Sequence, residues 1–192
     1  MWPGGFRQPQ GMRGERLTIR NATDADAPAV YEIYRPIVEH TAISFETTPP
    51  SVAEMRQRIA SALVTLPWLV AESNESVFAY AYASAHRVRA AYRWSVDTSV
   101  HVASTWHRQG IGRTLYAALM ERLRALGYVN AFAGITLPNP ASVALHESVG
   151  FAPVGVFRSV GYKLGAWRDV GWWALQLTEP PEEPDEPRLA GR

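Results

Sequence analysis

Cysteine is absent from the 192-residue chain, and lysine nearly so, Lys163 being the only one. Without a thiol there is no disulfide, no thiolate nucleophile and no cysteine metal site. The remaining basic residues are arginines, whose planar, permanently charged heads suit carboxylate or phosphate recognition better than amine chemistry. Neither sign of charge is in excess: 19 basic and 18 acidic residues give a net charge of +1. No strong field therefore exists to draw in nucleic acid or an acidic membrane surface. No run of 18 apolar residues occurs, so no helical membrane span is expected. The N-terminal MWPGGFRQPQGMRG lacks the apolar core of a secretory signal. Together these absences point to a cytoplasmic protein.

What is present is a chain 47% hydrophobic, enough for one well-buried domain and too short for two. Residues 1–15 are rich in Gly, Gln, Arg and Pro and are expected to be a disordered extension. Residues 179–192 are rich in Pro and Glu and are expected to be an extended, solvated tail. The domain between them spans 16–178. Leu17–Arg20 alternates as a first strand. After a capping-box-like Thr23-Asp24-Ala25-Asp26, Val30, Ile33, Tyr34, Ile37 and Val38 form a helical stripe. Val52, Met55, Ile59 and Leu63 mark a second helix. Trp68–Glu72 and Val77–Ala83 read as a hairpin turning at Ser73–Ser76. Further strands fit Val100–Val102, Asn130–Leu137, Ala152–Val160 and Asp169–Leu177. Asn139-Pro140 opens a short helix running to about Val149. Strands with interspersed helices, antiparallel early and late, make an α+β domain rather than a doubly wound one.

The segment Val100–Tyr128 carries the clearest functional signal. A short strand leads into His107-Arg108-Gln109-Gly110-Ile111-Gly112. Ile111, Leu115, Leu119, Leu123 and Leu126 then recur at helical spacing, and Gly127 ends the helix. Strand, glycine-bearing loop and helix N-terminus form an anion site, because the first helical turn presents unpaired N–H groups and the positive dipole end. A P-loop is excluded, since no Gly-Lys-Ser/Thr follows. A Rossmann site is excluded too: the glycines do not fit G-x-G-x-x-G, and no acidic residue ends a following strand.

This loop resembles the acyl-CoA pyrophosphate loop of the GNAT acetyltransferase superfamily, Q/R-x-x-G-x-G/A, with His107 in place of the usual first Gln or Arg. Asn139 with Leu145-His146-Glu147-Ser148-Val149-Gly150-Phe151 resembles that superfamily's second signature. Within it, Leu17–Leu177 is similar to the phosphinothricin acetyltransferase family. The runs that carry the similarity are Ile19–Thr23, Pro67–Glu72, Arg89–Ser95, Leu137–Asn139 and, most specifically, Gly161–Trp173.

The resemblance implies a mixed, mostly antiparallel seven-stranded sheet flanked by about four helices. It also implies transfer of acetyl from acetyl-CoA to a primary amine, with no metal. Val100, His101 and Val102 would flank the pantetheine, with a bulge freeing a backbone N–H, that of Val102, to polarise the thioester. Arg108, Gln109, Gly110, Ile111, Gly112 and Arg113 would hold the pyrophosphate, and Asn139 would contact the pantetheine arm while capping its helix. Asp97 sits where the family has a glutamate proposed as base. A carboxylate of ordinary pKa ~3.9 is a poor base for an ammonium, so burial or a relaying water is needed. His146 would either protonate the CoA thiolate or take a proton from the amine. Arg87, Arg89 and Tyr92 would bind a small dianionic amino acid, with Phe45 lining the same pocket and His86 replacing a common tryptophan. The late aromatic strands imply a homodimer. Other acceptors, such as a polyamine or a protein N-terminus, and a non-catalytic acyl-CoA sensor remain as alternatives.

Overall fold

A single seven-stranded sheet organises the chain in the computed structural model, which describes residues 17–191. The expected N-terminal extension, 1–15, lies outside the described residues. The strands are β1 (Thr18–Asn21), β2 (Trp68–Ser73), β3 (Ser76–Ala85), β4 (Ser95–Val102), β5 (Asn130–Leu137), β6 (Ala152–Lys163) and β7 (Ala166–Gln176). Their order across the sheet is β1-β2-β3-β4-β5-β7-β6. Every neighbouring pair is antiparallel except β4 and β5. Four helices cover it: α1 (Ala27–His40), α2 (Val52–Leu63), α3 (Ile111–Leu126) and α4 (Pro140–Ser148). The α+β expectation and the strand and helix inventory are as the sequence pattern implied.

Local chemistry sets the helix starts. Thr23 and Asp26 form the expected capping box, Thr23 N donating to Asp26 Oδ2 at 2.7 Å. Ser51 and Glu54 form a second one at α2, with Ser51 N to Glu54 Oε2 at 2.6 Å. Asn139 Oδ1 accepts from Ser142 N at 3.1 Å to cap α4, with Pro140 in the first turn. Gly127, at φ 91°, closes α3 in the left-handed conformation.

Two apolar clusters lie on opposite faces of the sheet. Val30, Val38, Met55 and Ile59 of α1 and α2 pack on Trp68, Val70 and Tyr80. Ile111, Leu115, Leu119 and Leu123 of α3 pack on Leu69, Ala81, Val96 and Ala131. Among the described residues no helix is long and apolar enough to cross a membrane.

Three boundaries differ from expectation. β4 starts at Ser95 rather than near Val100, because the polar Thr98, Ser99 and Asp97 still alternate in the ladder with β3. β6 and β7 run on to a two-residue turn at Leu164-Gly165, both with positive φ (52° and 75°), the geometry of a tight hairpin. Past β7 the chain returns across the body: Trp94 Nε1 donates to Asp185 O at 2.8 Å, Arg93 pairs with Glu186, and Ala190 N donates to Thr65 O at 3.2 Å.

Candidate active site

The central feature is a wedge between the two parallel strands. β4 and β5 are paired only at Ser95↔Asn130, Val96↔Ala131 and Asp97↔Phe132. Beyond that, β4 stays with β3 as far as Ala79↔Val102, and β5 stays with β7 as far as Leu137↔Asp169. The inner edges of 98–102 and 133–137 therefore part, leaving backbone groups of both strands unpaired across the gap. Ala103 N donates to Phe78 O at 2.8 Å. Since N–H directions alternate along a strand, those of Val100 and Val102 face the wedge and that of His101 faces β3. The register of β4 shows no bulge. Divergence from β5, rather than the expected bulge, is what frees the Val102 N–H.

The wide end of the wedge meets the start of α3. Gly110 caps α3 at φ 79° without any side-chain cap, and Thr114 N is the first to bond back, to Gly110 O at 3.1 Å. The N–H groups of Ile111, Gly112 and Arg113 are thus the unpaired first turn. The two glycines serve different needs. Nothing lies within 4 Å of where a Cβ on Gly110 would stand, so conformation selects it. A Cβ on Gly112 would meet Leu145 Cδ2 at 3.3 Å and Val102 Cγ2 at 3.5 Å, so α3 packs closely on α4 and β4 here, with a movable leucine end as the tightest contact. His107, the departure from the usual loop pattern, has Nε2 2.9 Å from Val102 O and ties the loop to the end of β4. Arg108 and Arg113 are exposed beside this turn, and Gln109 Nε2 reaches Thr105 O at 3.4 Å. The capping bond of Asn139 uses its carbonyl oxygen, leaving the amide nitrogen available.

The apex of the wedge has a different polar group on each face, because Asp97 and Thr98 are adjacent in a strand. On the α3 side, Thr98 Oγ1 lies 3.1 Å from Phe132 O and 2.5 Å from Tyr116 Oη. Tyr116 Oη in turn lies 3.1 Å from His146 Nε2. His146 Nδ1 is 2.7 Å from Ser142 O, a carbonyl that can only accept, so Nδ1 carries the proton. In neutral His146 the Nε2 then accepts from the tyrosine. Burial pushes the His146 pKa down, opposed by the Ser142 bond, and burial raises that of Tyr116. His146 is thus buried with both nitrogens engaged.

On the α1 side, Asp97 Oδ1 sits 2.6 Å from Nδ1 of His86, just beyond the end of β3. Burial pushes the Asp97 carboxyl up, while the His86 bond and the charges of His86 and Arg87 pull it back. The His86 ring stacks on Phe132 (centroids 4.3 Å, 19° between planes) and meets Tyr92 and Trp172 edge-on at 6.0 and 6.1 Å. The Arg87 guanidinium lies 5.7 Å from the Trp172 ring centre. That indole rests over Gly134, where a Cβ would stand 3.5 Å from Cζ2 and Cη2. Its Nε1–H is buried without a partner among the described residues, a donor lacking an acceptor.

Of the sequence-predicted acceptor residues, Arg87 and Tyr92 converge here. Arg89 is exposed, and its side chain has no hydrogen bond or ion pair among the described residues. Phe45 is held elsewhere on this face. Lys163 Nζ donates to Ser44 O at 2.6 Å and Glu46 O at 2.7 Å, and the Phe45 ring occupies the space a Gly161 Cβ would need. His101 turns its ring under α1, edge-on to Tyr34 at 5.5 Å and 4.9 Å from Tyr80, and burial lowers its pKa to about 4. Sequence reasoning missed His86 as the partner of Asp97, and gave Thr98, Tyr116 and Trp172 no role in the site. The β3–β4 register would have paired Ser84 with Asp97 and so brought His86 near it, had β4 been extended back to Ser95.

Known proteins share this fold and much of this sequence. The chain is 39% identical over 167 residues to phosphinothricin N-acetyltransferase of Streptomyces viridochromogenes, covering 86% of this chain and 91% of the relative. It is 36% identical over 164 residues to the L-methionine sulfoximine/L-methionine sulfone acetyltransferase of Salmonella typhimurium, covering 85% and 96%. A crystal structure of a GNAT superfamily phosphinothricin acetyltransferase from Sinorhizobium meliloti in complex with acetyl-CoA superposes with a TM-score of 0.83 at 36% identity, over 91% of this chain and 98% of that one. Residues 19–172 match the model of the acetyltransferase (GNAT) domain, and the chain belongs to that family of acetyl-CoA-dependent N-acetyltransferases.

Proposed function

We propose that this enzyme transfers acetyl from acetyl-CoA to the primary amine of a small anionic amino acid or analogue, of the phosphinothricin or methionine sulfoximine type. The observation that carries this reading is the wedge itself. Unpaired helix N–H groups stand at its wide end, free strand N–H groups run along it, and a half-buried carboxylate–imidazole pair lies at its apex. From Val102 to Thr98 the strand spans roughly 13 Å, a length suited to an extended, amide-bearing pantetheine arm. Residues 108–113 take the pyrophosphate, Asn139 offers its amide nitrogen to the arm, and the Val100 and Val102 N–H groups face the arm and the thioester oxygen. A single such donor contributes about 2.7–4 kcal/mol to an oxyanion transition state.

The acceptor enters from the α1 face. Arg87 and the unpartnered Trp172 N–H suit an anionic group, with Tyr92 beside them and Phe45 and Arg89 bordering the entrance. Asp97 takes part in removing the ammonium proton. The free amine attacks the carbonyl carbon, the oxyanion collapses, and the thiolate leaves. Because His146 is engaged through both nitrogens, we assign it the placing of Tyr116 and Thr98 at the apex. The thiolate takes its proton from the attacking nitrogen, which must lose one in any case.

Thiol release from acetyl-CoA with phosphinothricin, methionine sulfoximine, methionine sulfone, spermidine and an N-terminal peptide tests the acceptor. Turnover confined to the amino acid analogues is expected. A preference for spermidine or the peptide refutes the anionic acceptor while leaving acetyl transfer standing. We further propose a cytoplasmic homodimer formed through the exposed Val156, Phe157, Val160, Tyr162 and Trp167 of β6 and β7. A monomer in sedimentation velocity at micromolar concentration refutes the dimer.

A further inference from the structure

We infer that the base of this enzyme is a His86–Asp97 dyad in which His86 Nε2 takes the proton from the acceptor ammonium and Asp97 is the positioning residue that fixes the imidazole. The inference rests on the acetyl-transfer reading above and changes which atom receives the proton. Asp97 Oδ1 and His86 Nδ1 are 2.6 Å apart. A carboxylate can only accept, so Nδ1 carries the hydrogen and the Nε2 lone pair is left free. Among the described residues Nε2 has no partner, and the only buried side-chain N or O atoms without one are the indole nitrogens of Trp68 and Trp172. Nε2 is therefore in contact with solvent, on a ring whose side chain is otherwise only 11% accessible. This is the nucleophile-activating logic of a base oriented by a third group.

The surroundings fit an imidazole that alternates between neutral and charged. Phe132 of β5 stacks beneath it, and Trp172 of β7 and Tyr92 of the loop meet it edge-on. The ionic groups facing it are Asp97 from β4 and Arg87 from the loop, whose charge also acts on Asp97. Tyr82 of β3 and Tyr116 of α3 also feel the Asp97 charge. Arg87 and Tyr92 are also the acceptor-side groups, so the ring lies between the acceptor and the wedge apex.

Basicity decides which partner keeps the proton. An ordinary imidazole (pKa ~6.5) holds a proton about 400-fold more tightly than an ordinary aspartate (~3.9). Once charged, it is stabilised by the carboxylate it already touches. The ammonium proton is therefore taken through the ring. The step balances: R–NH3+ gives H+ to Nε2, R–NH2 forms the C–N bond, the C–S bond breaks, and the thiolate is protonated as the nitrogen loses its second proton. The imidazolium then releases its proton to water.

The experiment compares full-length wild type with H86Q, H86N, H86A and D97N, after circular dichroism and acetyl-CoA titration show folded, cofactor-binding protein. Thiol release is followed against pH and amine concentration. His86 variants are expected to lose about 100-fold or more in kcat/KM, mainly in kcat. Added imidazole restores H86A, and D97N lowers kcat but keeps its acid limb, because the ring rather than the carboxylate takes the proton. His86 variants within about threefold of wild type, a loss confined to KM, or a D97N profile with no acid limb each overturn the dyad and leave acetyl transfer intact. If the His86 variants do not fold, the D97N pH profile decides alone, a retained limb supporting the dyad and an abolished one overturning it. No thiol release by wild type with any amine overturns the functional reading and the dyad together.

Discussion

Acid should weaken this fold before its carboxylates begin to titrate, and His101 is the main reason. Its ring lies beneath α1 against Tyr34 and Tyr80, with no hydrogen bond among the described residues, and burial lowers its pKa from 6.5 to about 4. The sign follows from proton counting. Above pH 6.5 the ring is neutral in both folded and unfolded chains and contributes nothing. Below 6.5 the unfolded chain binds a proton that the folded chain refuses, so stability falls with pH until the folded value near 4. Each pH unit in that window is worth about 1.4 kcal/mol, so at pH 5 the loss is about 2 kcal/mol for a ring fully removed from water. The partly accessible edge of the residue brings the expected figure to about 1–2 kcal/mol. His146, also lowered by burial, acts in the same direction. Asp26 and Glu46, held below their ordinary values by Arg20 and Arg58, lose their contribution only at lower pH. Urea unfolding of wild type and H101Q at pH 7.5 and 5.0 isolates the residue. Wild type should lose about 1–2 kcal/mol more than H101Q on acidification. An equal loss in both refutes the assignment, since the acid sensitivity would then come from elsewhere.

Other substitutions separate conformation, hydrogen bonding and loop anchoring. G110A places a Cβ at φ 79° with no neighbour to strike, so it should cost about 1–2 kcal/mol by conformation alone and weaken acetyl-CoA several-fold in calorimetry. G112A should leave urea stability within about 0.5 kcal/mol, since only the movable Leu145 end is approached and helix propensity improves. Y116F leaves His146 Nε2 without a donor while Thr98 keeps Phe132 O, and should cost about 1–3 kcal/mol. Combined with T98V it should show coupling above about 0.5 kcal/mol in a double-mutant cycle. K163M removes the clamp on the carbonyls of Ser44 and Glu46. It should raise KM for the amine and leave KM for acetyl-CoA unchanged in steady-state assays.

What the sequence made legible follows from which interactions are local. Caps at Thr23 and Asn139, the stripe of α3 and the glycine at φ 79° are each set within a few residues, and the local pattern alone points to them. The wedge is not local. It depends on β4 leaving β5 after Asp97↔Phe132, and no residue type marks that parting. Nor does spacing reveal that His107 ties to Val102 O, that Lys163 clamps a loop 117 residues earlier in the chain, or that the tail returns to Trp94. The deeper obstacle lies within β4. Ser95–Val102 places Thr98 inward, where an apolar residue is expected, and Tyr116 satisfies its hydroxyl from another element. That substitution breaks the apolar alternation and makes the strand look as if it begins at Val100. Strand parity then becomes decisive, because a shift of one residue exchanges the faces of every side chain. With parity fixed by Ser84↔Asp97 and Ala83↔Thr98, Asp97 belongs to the α1 face with His86, and Thr98 to the α3 face with Tyr116 and His146. Asp97 and His146, read from the sequence as two proton carriers for one step, therefore stand on opposite sides of the sheet with the wedge between them. With the acceptor entering on the α1 face, as proposed above, only a group on that side can deprotonate it, which is why the proposal takes the pair on the α1 face.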